Sequence, residues 1–516
     1  MTTAPTGSPA PGALSQALPG ALPGVLPRAL PGDVGVPASS VLALLDGLAA
    51  EDLELHSLML VRHGQVAAEG WWTPYTPERP HLLYSLGKSF TSTAVGFAVA
   101  EGRFRLDDTI VSLLPGHVPD DVDPVVATLT VHHVLSMSTG HDEDTLERAW
   151  ALEPDDLVKG FLRVPPQEAV GSRHVYNNTC TYVLAMLVQE LTGEHLLDYL
   201  RPRLLDPLGM GAAHWDNDAD GNAVGFTGLH LTTEALAAFG QLLLQRGEWQ
   251  GRQVLPAGWV EIATRKHIPN DLDPATNVDW AQGYGYQYWM ARHGFRGDGA
   301  YGQFCIVLPE ADLVVVTTGC SDSMQAILDN VWAHLLPALD TPDAGGPDTD
   351  AQLELRLAAL ALPVVEGALE GPADRMTFVV EPGGDEAPLA PGTSIEVRST
   401  GVDGWELAIT SGDSQWRLAA GRTSWVESSL GPPVGPPSGA PSGPVSGPVS
   451  GPRGQVHRDP TPVVARGGWT STDTFEADLV LIELPHRIRL SCRDGRALAT
   501  WNAVPLAGAR LEAHLA

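Results

Sequence analysis

The chain has 516 residues, 43% of them hydrophobic, and a formal net charge of −31. These values allow a sizeable core and two or three domains, and they argue against nucleic acid or an anionic membrane as a partner. The four cysteines, Cys180, Cys305, Cys320 and Cys492, share no short spacing, so a CxxC redox motif and a zinc knuckle are excluded and the thiols read as small buried hydrophobes in a reducing compartment.

Residues 1–34 read as a disordered Pro/Ala/Gly-rich leader. The stretch has no basic n-region, and prolines interrupt every apolar run, so neither a signal peptide nor a membrane span is expected and the protein is placed in the cytoplasm. Folded material is expected near Ser39, where SSVLALLDGLAAEDL has helical spacing behind a serine cap. SLMLVRHGQVAAEGWW (57–72) reads as two strands around a His63-Gly64 turn. Small and apolar residues from Ser85 to Glu101 predict a buried helix stopped by Gly102. NTCTYVLAMLVQELTG (178–193) and LTTEALAAFGQLLLQRG (231–247) predict further helices. GQFCIVLP and ADLVVVTTG flank Glu310 as a hairpin, and SMQAILDNVWAHLLPAL closes the unit as a helix. Strands at both ends with helices between them predict an α/β (α+β) domain over 35–340, with an antiparallel sheet assembled from distant segments. Residues 341–352 read as a linker. Over 353–516, short alternating turn-bounded runs predict an all-β barrel or sandwich, interrupted at 431–454 by a disordered Pro/Gly/Ser loop.

The chain holds only three lysines, Lys88, Lys159 and Lys266, among 31 basic residues. Arginine keeps its proton in proteins, whereas a desolvated lysine can lose it. Lys88 follows Ser85 by three residues, a spacing that shares one helix face. A base near neutrality requires the amine to fall roughly three pKa units, about 4 kcal/mol, and an apolar helix whose nearest acidic sequence neighbours are Glu78 and Glu101 suits that. A serine beside such an amine is a nucleophile for acyl transfer. GSRHVYNNTC places Tyr176, a proton carrier, two residues before Asn178, an amide that can orient a substrate, and an extended segment would put both on one side. GDGAYGQFCIVLP supplies glycines before a strand, where a backbone N–H can join that of Ser85 in an oxyanion hole.

Ser85-Leu86-Gly87-Lys88, Tyr176-Asn177-Asn178 and VHHVLSMSTGH (131–141) together resemble the penicillin-recognising serine hydrolases, which include class C β-lactamases, D-alanyl-D-alanine peptidases, esterases and 6-aminohexanoate-dimer hydrolases. The resemblance spans about residues 35–340. It implies a β-lactamase-like antiparallel sheet flanked by helices, with a helical subdomain. It also implies Ser85 as nucleophile, Lys88 as base, Tyr176 as proton carrier and Asn178 as the substrate-orienting amide. The usual Lys/His-Thr/Ser-Gly tripeptide is missing. Gly299-Ala300-Tyr301-Gly302-Gln303 stands there instead and resembles the aminohexanoate-dimer hydrolase and esterase side. Ala300 is then the second oxyanion donor, and Gly299, Tyr301, Gly302 and Gln303 are pocket candidates. Arg292, His293 or Arg296 are candidates to replace the lost cation as a carboxylate binder.

Other signals point to no metal or cofactor. DNDADGN (216–222) begins like a calcium loop, but its twelfth position is Thr227, so a polar surface loop is expected. His132 and His133 diverge on any regular element. His174 reads as an ordinary loop histidine, and Trp405, Trp416, Trp425, Trp469 and Trp501 as core of the β domain. The reading is a serine hydrolase acting on a small-molecule ester or amide, with oligomeric state left open. The alternatives are a β-lactamase or D,D-peptidase, or a silent binding protein on the same fold.

Overall fold

In a computed structural model, which describes residues 25–270, 272–342, 347–367, 375–401, 404–431 and 460–515, helix α1 spans Ala38–Ala50. Strand β1 (Leu55–Arg62) then turns into β2 (Gln65–Trp71). His63 and Gly64 both have positive φ, 51° and 74°. A two-residue turn with that geometry matches the right-handed twist of the strands it joins. Next come β3 (His81–Leu82), α2 (Gly87–Ala100), α3 (Ile110–Leu113), α4 (Val131–Leu135), α5 (Leu146–Leu152), α6 (Leu157–Leu162), α7 (Asn178–Thr192) and α8 (Leu196–Leu200). They are followed by β4 (His214–Trp215), β5 (Leu229–Leu231), α9 (Thr233–Leu244), the small hairpin β6 (Glu248–Trp249) and β7 (Arg252–Gln253), and α10 (Trp259–Ala263). Strands β8 (Trp289–Met290), β9 (Phe295–Gly299), β10 (Gln303–Leu308) and β11 (Leu313–Gly319), then α11 (Met324–His334), complete the unit.

The main sheet runs β2-β1-β11-β10-β9-β8, all antiparallel. Segments more than 200 residues apart pair directly, as in Met59 opposite Val316. Both faces are covered, so the central strands are buried at every position rather than alternating. One face packs α1 and α11 around Leu44, Leu58, Ile306 and Val331. The other packs α2, α7 and α9 around Phe90, Val183 and Phe239. Helix α2 runs through this second core with Gly96 against the Trp259 ring, where a Cβ would lie 2.5 Å from ring carbons. Three of its hydroxyls find partners inside the protein, Thr91 Oγ1 to Gly225 O, Ser89 Oγ to Gln287 O and Thr93 Oγ1 to Ser89 O.

Beyond α12 (Pro347–Ala358) come β12 (Arg375–Val380), β13 (Ser394–Ser399), β14 (Gly404–Ser411), β15 (Ser414–Gly421), β16 (Val426–Leu430), β17 (Thr461–Trp469), β18 (Thr474–Leu481), β19 (Arg487–Arg493) and β20 (Arg496–Trp501). They form a sheet in the order β15-β14-β13-β12-β20-β19-β18-β17-β16, and a β15–β17 pairing closes eight of them into a barrel. Trp405, Trp416 and Trp469 fill its interior as expected, while Trp425 and Trp501 are only partly buried.

Four expectations need correction or restriction. Within the expected leader, residues 25–34 are packed: Leu26 and Val34 are buried, and Arg28 reaches Glu69 and Glu234 at 2.8 and 2.7 Å. Residues 1–24 lie outside the described residues. Helix α1 starts at Ala38 behind Pro37, so Ser39 lies inside the first turn and does not cap it. The expected linker 341–352 runs into α12, whose Leu353 is buried in the α1 core together with Leu360, so the polar composition of its first turn hid an amphipathic helix. Most of the loop expected at 431–454 lies outside the described residues.

The barrel core does not end at the barrel. Leu82 and Tyr84 are part of it, with Ala300 and Tyr301 packed against it. Leu82 N donates to Glu483 O at 2.8 Å, and Arg487 pairs with Glu54 at 2.6 Å.

Candidate active site

Ser85 lies in a single 3-10 turn, Tyr84–Leu86, that leads into α2. Tyr84 takes a φ of 48°, a left-handed conformation that costs a bulky residue roughly 1–2 kcal/mol. It is held there from the barrel. His486 Nδ1 donates to Ala503 O at 2.9 Å, so Nε2 is the acceptor for the Tyr84 hydroxyl at 2.5 Å. Burial drives the His486 pKa down to about 3, which keeps the ring neutral. The Tyr301 ring meets Tyr84 edge-on at 5.7 Å, and its own hydroxyl donates to Val504 O at 2.5 Å.

Lys88 is 2% exposed and its Nζ lies 2.9 Å from Ser85 Oγ and 2.9 Å from Phe226 O. Burial lowers its pKa from 10.5 to about 7, opposed by the carboxylates of Asp144 and Asp298. The sequence neighbourhood carried no such acids; the fold brings them in from 56 and 210 residues away. The carbonyl of Phe226 is fixed because Gly225, at φ 75°, lets the loop press on α7 and α2, where Thr91 Oγ1 donates to Gly225 O at 2.8 Å.

The Tyr176 ring lies 4.8 Å from Lys88 Nζ, and the Ser85 side chain favours ionisation of its hydroxyl against the effect of burial. Burial pushes that hydroxyl well above its usual pKa, so it is protonated at rest. The stretch read as VHHVLSMSTGH carries this segment: Val175 N donates to Met137 O at 3.0 Å and Asn177 N meets Met137 Sδ at 3.4 Å. Behind Tyr176 stacks Trp289, at 5.7 Å, which the buried His174 meets edge-on at 5.5 Å; burial lowers the His174 pKa to about 4. Asn178 is not on an extended segment. It is the first residue of α7, and its side-chain amide donates to Asp144 Oδ2 at 2.7 Å.

The glycine-rich turn approaches the serine from β9. A Cβ on Gly299 would fall 2.0 Å from Leu83 O, so only glycine permits this contact. Ala300 follows at the partly exposed rim. Gln303 is fully buried and holds the turn, its amide donating to Ala300 O and Gly319 O, both at 2.8 Å. Gly302 is buried against Ile327.

An amine deprotonating near pH 7, a reachable serine oxygen and a protonated phenol converge on one point. That arrangement can abstract a proton from Ser85 and return one to a leaving group. A family model described as Beta-lactamase matches residues 47–322, more than half of the chain. The chain belongs to the beta-lactamase family. It is 27% identical over 320 residues to 6-aminohexanoate-dimer hydrolase from Paenarthrobacter ureafaciens, covering 55% of this chain and 79% of that one. It is 24% identical over 361 residues to penicillin-binding protein 4 from Amycolatopsis lactamdurans, covering 60% and 89%. The octameric penicillin-binding protein homologue from Pyrococcus abyssi aligns over 90% of this chain and 98% of its own, at 16% identity and a TM-score of 0.46.

Within this beta-lactamase-family domain, none of the three cations expected to replace the missing tripeptide reaches the serine. Arg292 is paired with Asp279 at 2.8 Å and with Asp329. His293 lies against Trp332. Arg296 is fully buried, 3.0 Å from Asp298 and stacked on Trp280. From β9, where it is buried beside Arg296, Asp298 raises the pKa of both Lys88 and Tyr176. Sequence reading missed Asp144, Asp298 and Phe226. Nothing distinguishes Asp144 in HDEDTLE, and only the two glycines of GFTG hint that Phe226 is held in a tight loop.

Proposed function

We propose that this chain is a serine hydrolase of small-molecule esters or amides that works through an acyl-enzyme on Ser85. The observation that carries the reading is Lys88 Nζ at 2.9 Å from Ser85 Oγ, with a pKa lowered to about 7 by burial. A neutral amine there donates to Phe226 O and leaves its lone pair for the serine proton. Ser85 Oγ attacks the acyl carbon as its proton passes to Lys88. The backbone N–H groups of Ser85 and Ala300 receive the oxyanion. Tyr176 passes its proton to the leaving oxygen or nitrogen and takes up the one held by Lys88, which returns the amine to its neutral form, and Asn178, anchored on Asp144, fixes the substrate. Water then hydrolyses the ester, activated by Lys88 or Tyr176 as base.

The substrate class follows from charge. β-Lactams and D-alanyl peptides present a carboxylate, and the cations that could receive it are tied to Asp279, Asp329 and Asp298. Two carboxylates beside Lys88 favour neutral or cationic acyl and leaving groups. A neutral amide fits this charge pattern, and so does a short-chain ester. The test is turnover of a nitrophenyl butyrate, a neutral amide and a chromogenic cephalosporin by the full chain. The reading expects ester or amide turnover at least 100-fold above cephalosporin. Cephalosporin hydrolysis at equal or higher kcat/KM would overturn it.

A further inference from the structure

The β4–β5 hairpin places three metal-ligand side chains on one face. His214 stands directly opposite His230 in the antiparallel register. Asp216, two residues on from His214, shares its face. Asp216 N donates to Gly228 O at 2.8 Å, which carries the pairing one step further. Gly228 sits at φ 84°, and a Cβ there would lie 2.7 Å from that of Asp216. The missing side chain lets the Asp216 carboxylate lean toward His230, whose Nε2 is 3.6 Å from Asp216 Oδ2. The His214 and His230 rings stack with centroids 4.0 Å apart, and one ligating atom from each of the three residues lies within 4.8 Å of the others.

A second observation points to a ligand. His230 is 2% exposed, and neither of its ring nitrogens has a hydrogen-bond partner among the described residues. Leaving a buried polar atom unpaired is unfavourable, and native proteins rarely do so without an ion or water at that place.

We propose that His214, Asp216 and His230 form a binding site for a divalent transition-metal cation, zinc foremost. Two imidazole nitrogens and one carboxylate oxygen suit zinc, cobalt or nickel, whereas calcium and magnesium take oxygen donors. Bonds of about 2.0–2.2 Å bring tetrahedral donors to roughly 3.3–3.5 Å from one another. The His230–Asp216 pair is nearly at that separation, and the exposed His214 closes the site by turning out of its stack. Water completes the coordination. Asp216 opens the loop that resembles a calcium motif, but the loop's next acidic position is not a ligand of this site. There Asp218 is used to close the turn, accepting from Asp220 N at 3.0 Å, Asn222 N at 2.9 Å and the Tyr182 hydroxyl at 2.9 Å.

The position gives the cation a structural consequence. Leu229 O receives Leu83 N at 2.9 Å, two residues before Ser85, and Phe226 O holds Lys88. A cation joining β4 to β5 braces the segment that carries both carbonyls. The two histidines are 16 residues apart, so no sequence spacing announces the site.

The experiment uses the full chain, stripped with a chelator, then loaded with zinc chloride or cobalt chloride and separated from free metal. Wild type should retain about one zinc per chain by elemental mass spectrometry. Its cobalt form should show visible d–d absorption, and zinc should raise the thermal midpoint by several degrees. His214→Ala, which alters an exposed side chain, and Asp216→Asn should each weaken retention at least tenfold, with far-UV circular dichroism unchanged. Wild type without retained zinc would overturn the proposal, as would both variants retaining zinc undiminished. Metal content is read without turnover, so this result is independent of whether Ser85 is the nucleophile.

Discussion

Replacing Lys88 by Met separates the ionisation of this amine from everything else in the site. In the unfolded chain the amine holds its proton up to pH 10.5, and in the folded protein only up to about 7. Between those values the unfolded state binds more protons, so stability rises with pH; the full penalty is present below pH 7 and is gone above 10.5. At 1.36 kcal/mol per pKa unit the penalty below pH 7 is about 5 kcal/mol. Lys88→Met removes it but leaves Phe226 O without its donor, which costs about 1–3 kcal/mol. The variant should therefore be about 2–4 kcal/mol more stable than wild type at pH 7. That advantage should shrink by about 2 kcal/mol by pH 9, because wild type recovers stability there and the variant has nothing to titrate. Denaturant unfolding of both proteins at pH 7, 8 and 9 measures the difference. An advantage that stays constant within 1 kcal/mol over that range would refute a neutralised Lys88. The same variant should lose roughly 10²–10⁴ in kcat, the span associated with a positioned general base, while wild-type kcat/KM climbs through pH 7 to a plateau.

Tyr176→Phe keeps the ring over Lys88 and removes the hydroxyl, and kcat should fall by about 10²-fold or more with little change in unfolding midpoint. Gly299→Ala puts a methyl 2.0 Å from Leu83 O, so β9 must move and kcat should drop at least tenfold while KM changes less. His486→Phe removes the acceptor that holds Tyr84 at positive φ. As a positioning residue it should lower kcat, with the pH midpoint set by Lys88 unmoved; a shifted midpoint would show that the barrel acts on the amine instead. Asp298→Asn leaves the buried Arg296 charge without its counter-charge and should destabilise the chain by about 3–5 kcal/mol, read by denaturant unfolding.

The chemistry was most legible where residues act within a turn or two of one another. Ser85 and Lys88 share a helix face whatever the rest of the fold does, and the continuous apolar runs of β10 and β11 announce a doubly covered sheet. The acids around Lys88 were not legible, because Asp144 and Asp298 reach it only through tertiary packing. Asn178 was misplaced for a local reason: Asn177 caps α7, which starts the helix one residue earlier than an extended Tyr-x-Asn segment requires. Gln303 was a pocket candidate only through the family resemblance of its stretch, and its amide is taken up by the carbonyls of Ala300 and Gly319, a pairing the sequence does not show. The role of Tyr84 depends on His486, 402 residues away, which no local pattern connects.

The central claim is that Ser85 is an activated nucleophile. Intact-protein mass spectrometry after treatment with a fluorophosphonate tests it most directly, wild type beside Ser85→Ala. One adduct is expected on wild type and none on the variant. An unmodified wild type, or an equal adduct on Ser85→Ala, would contradict it.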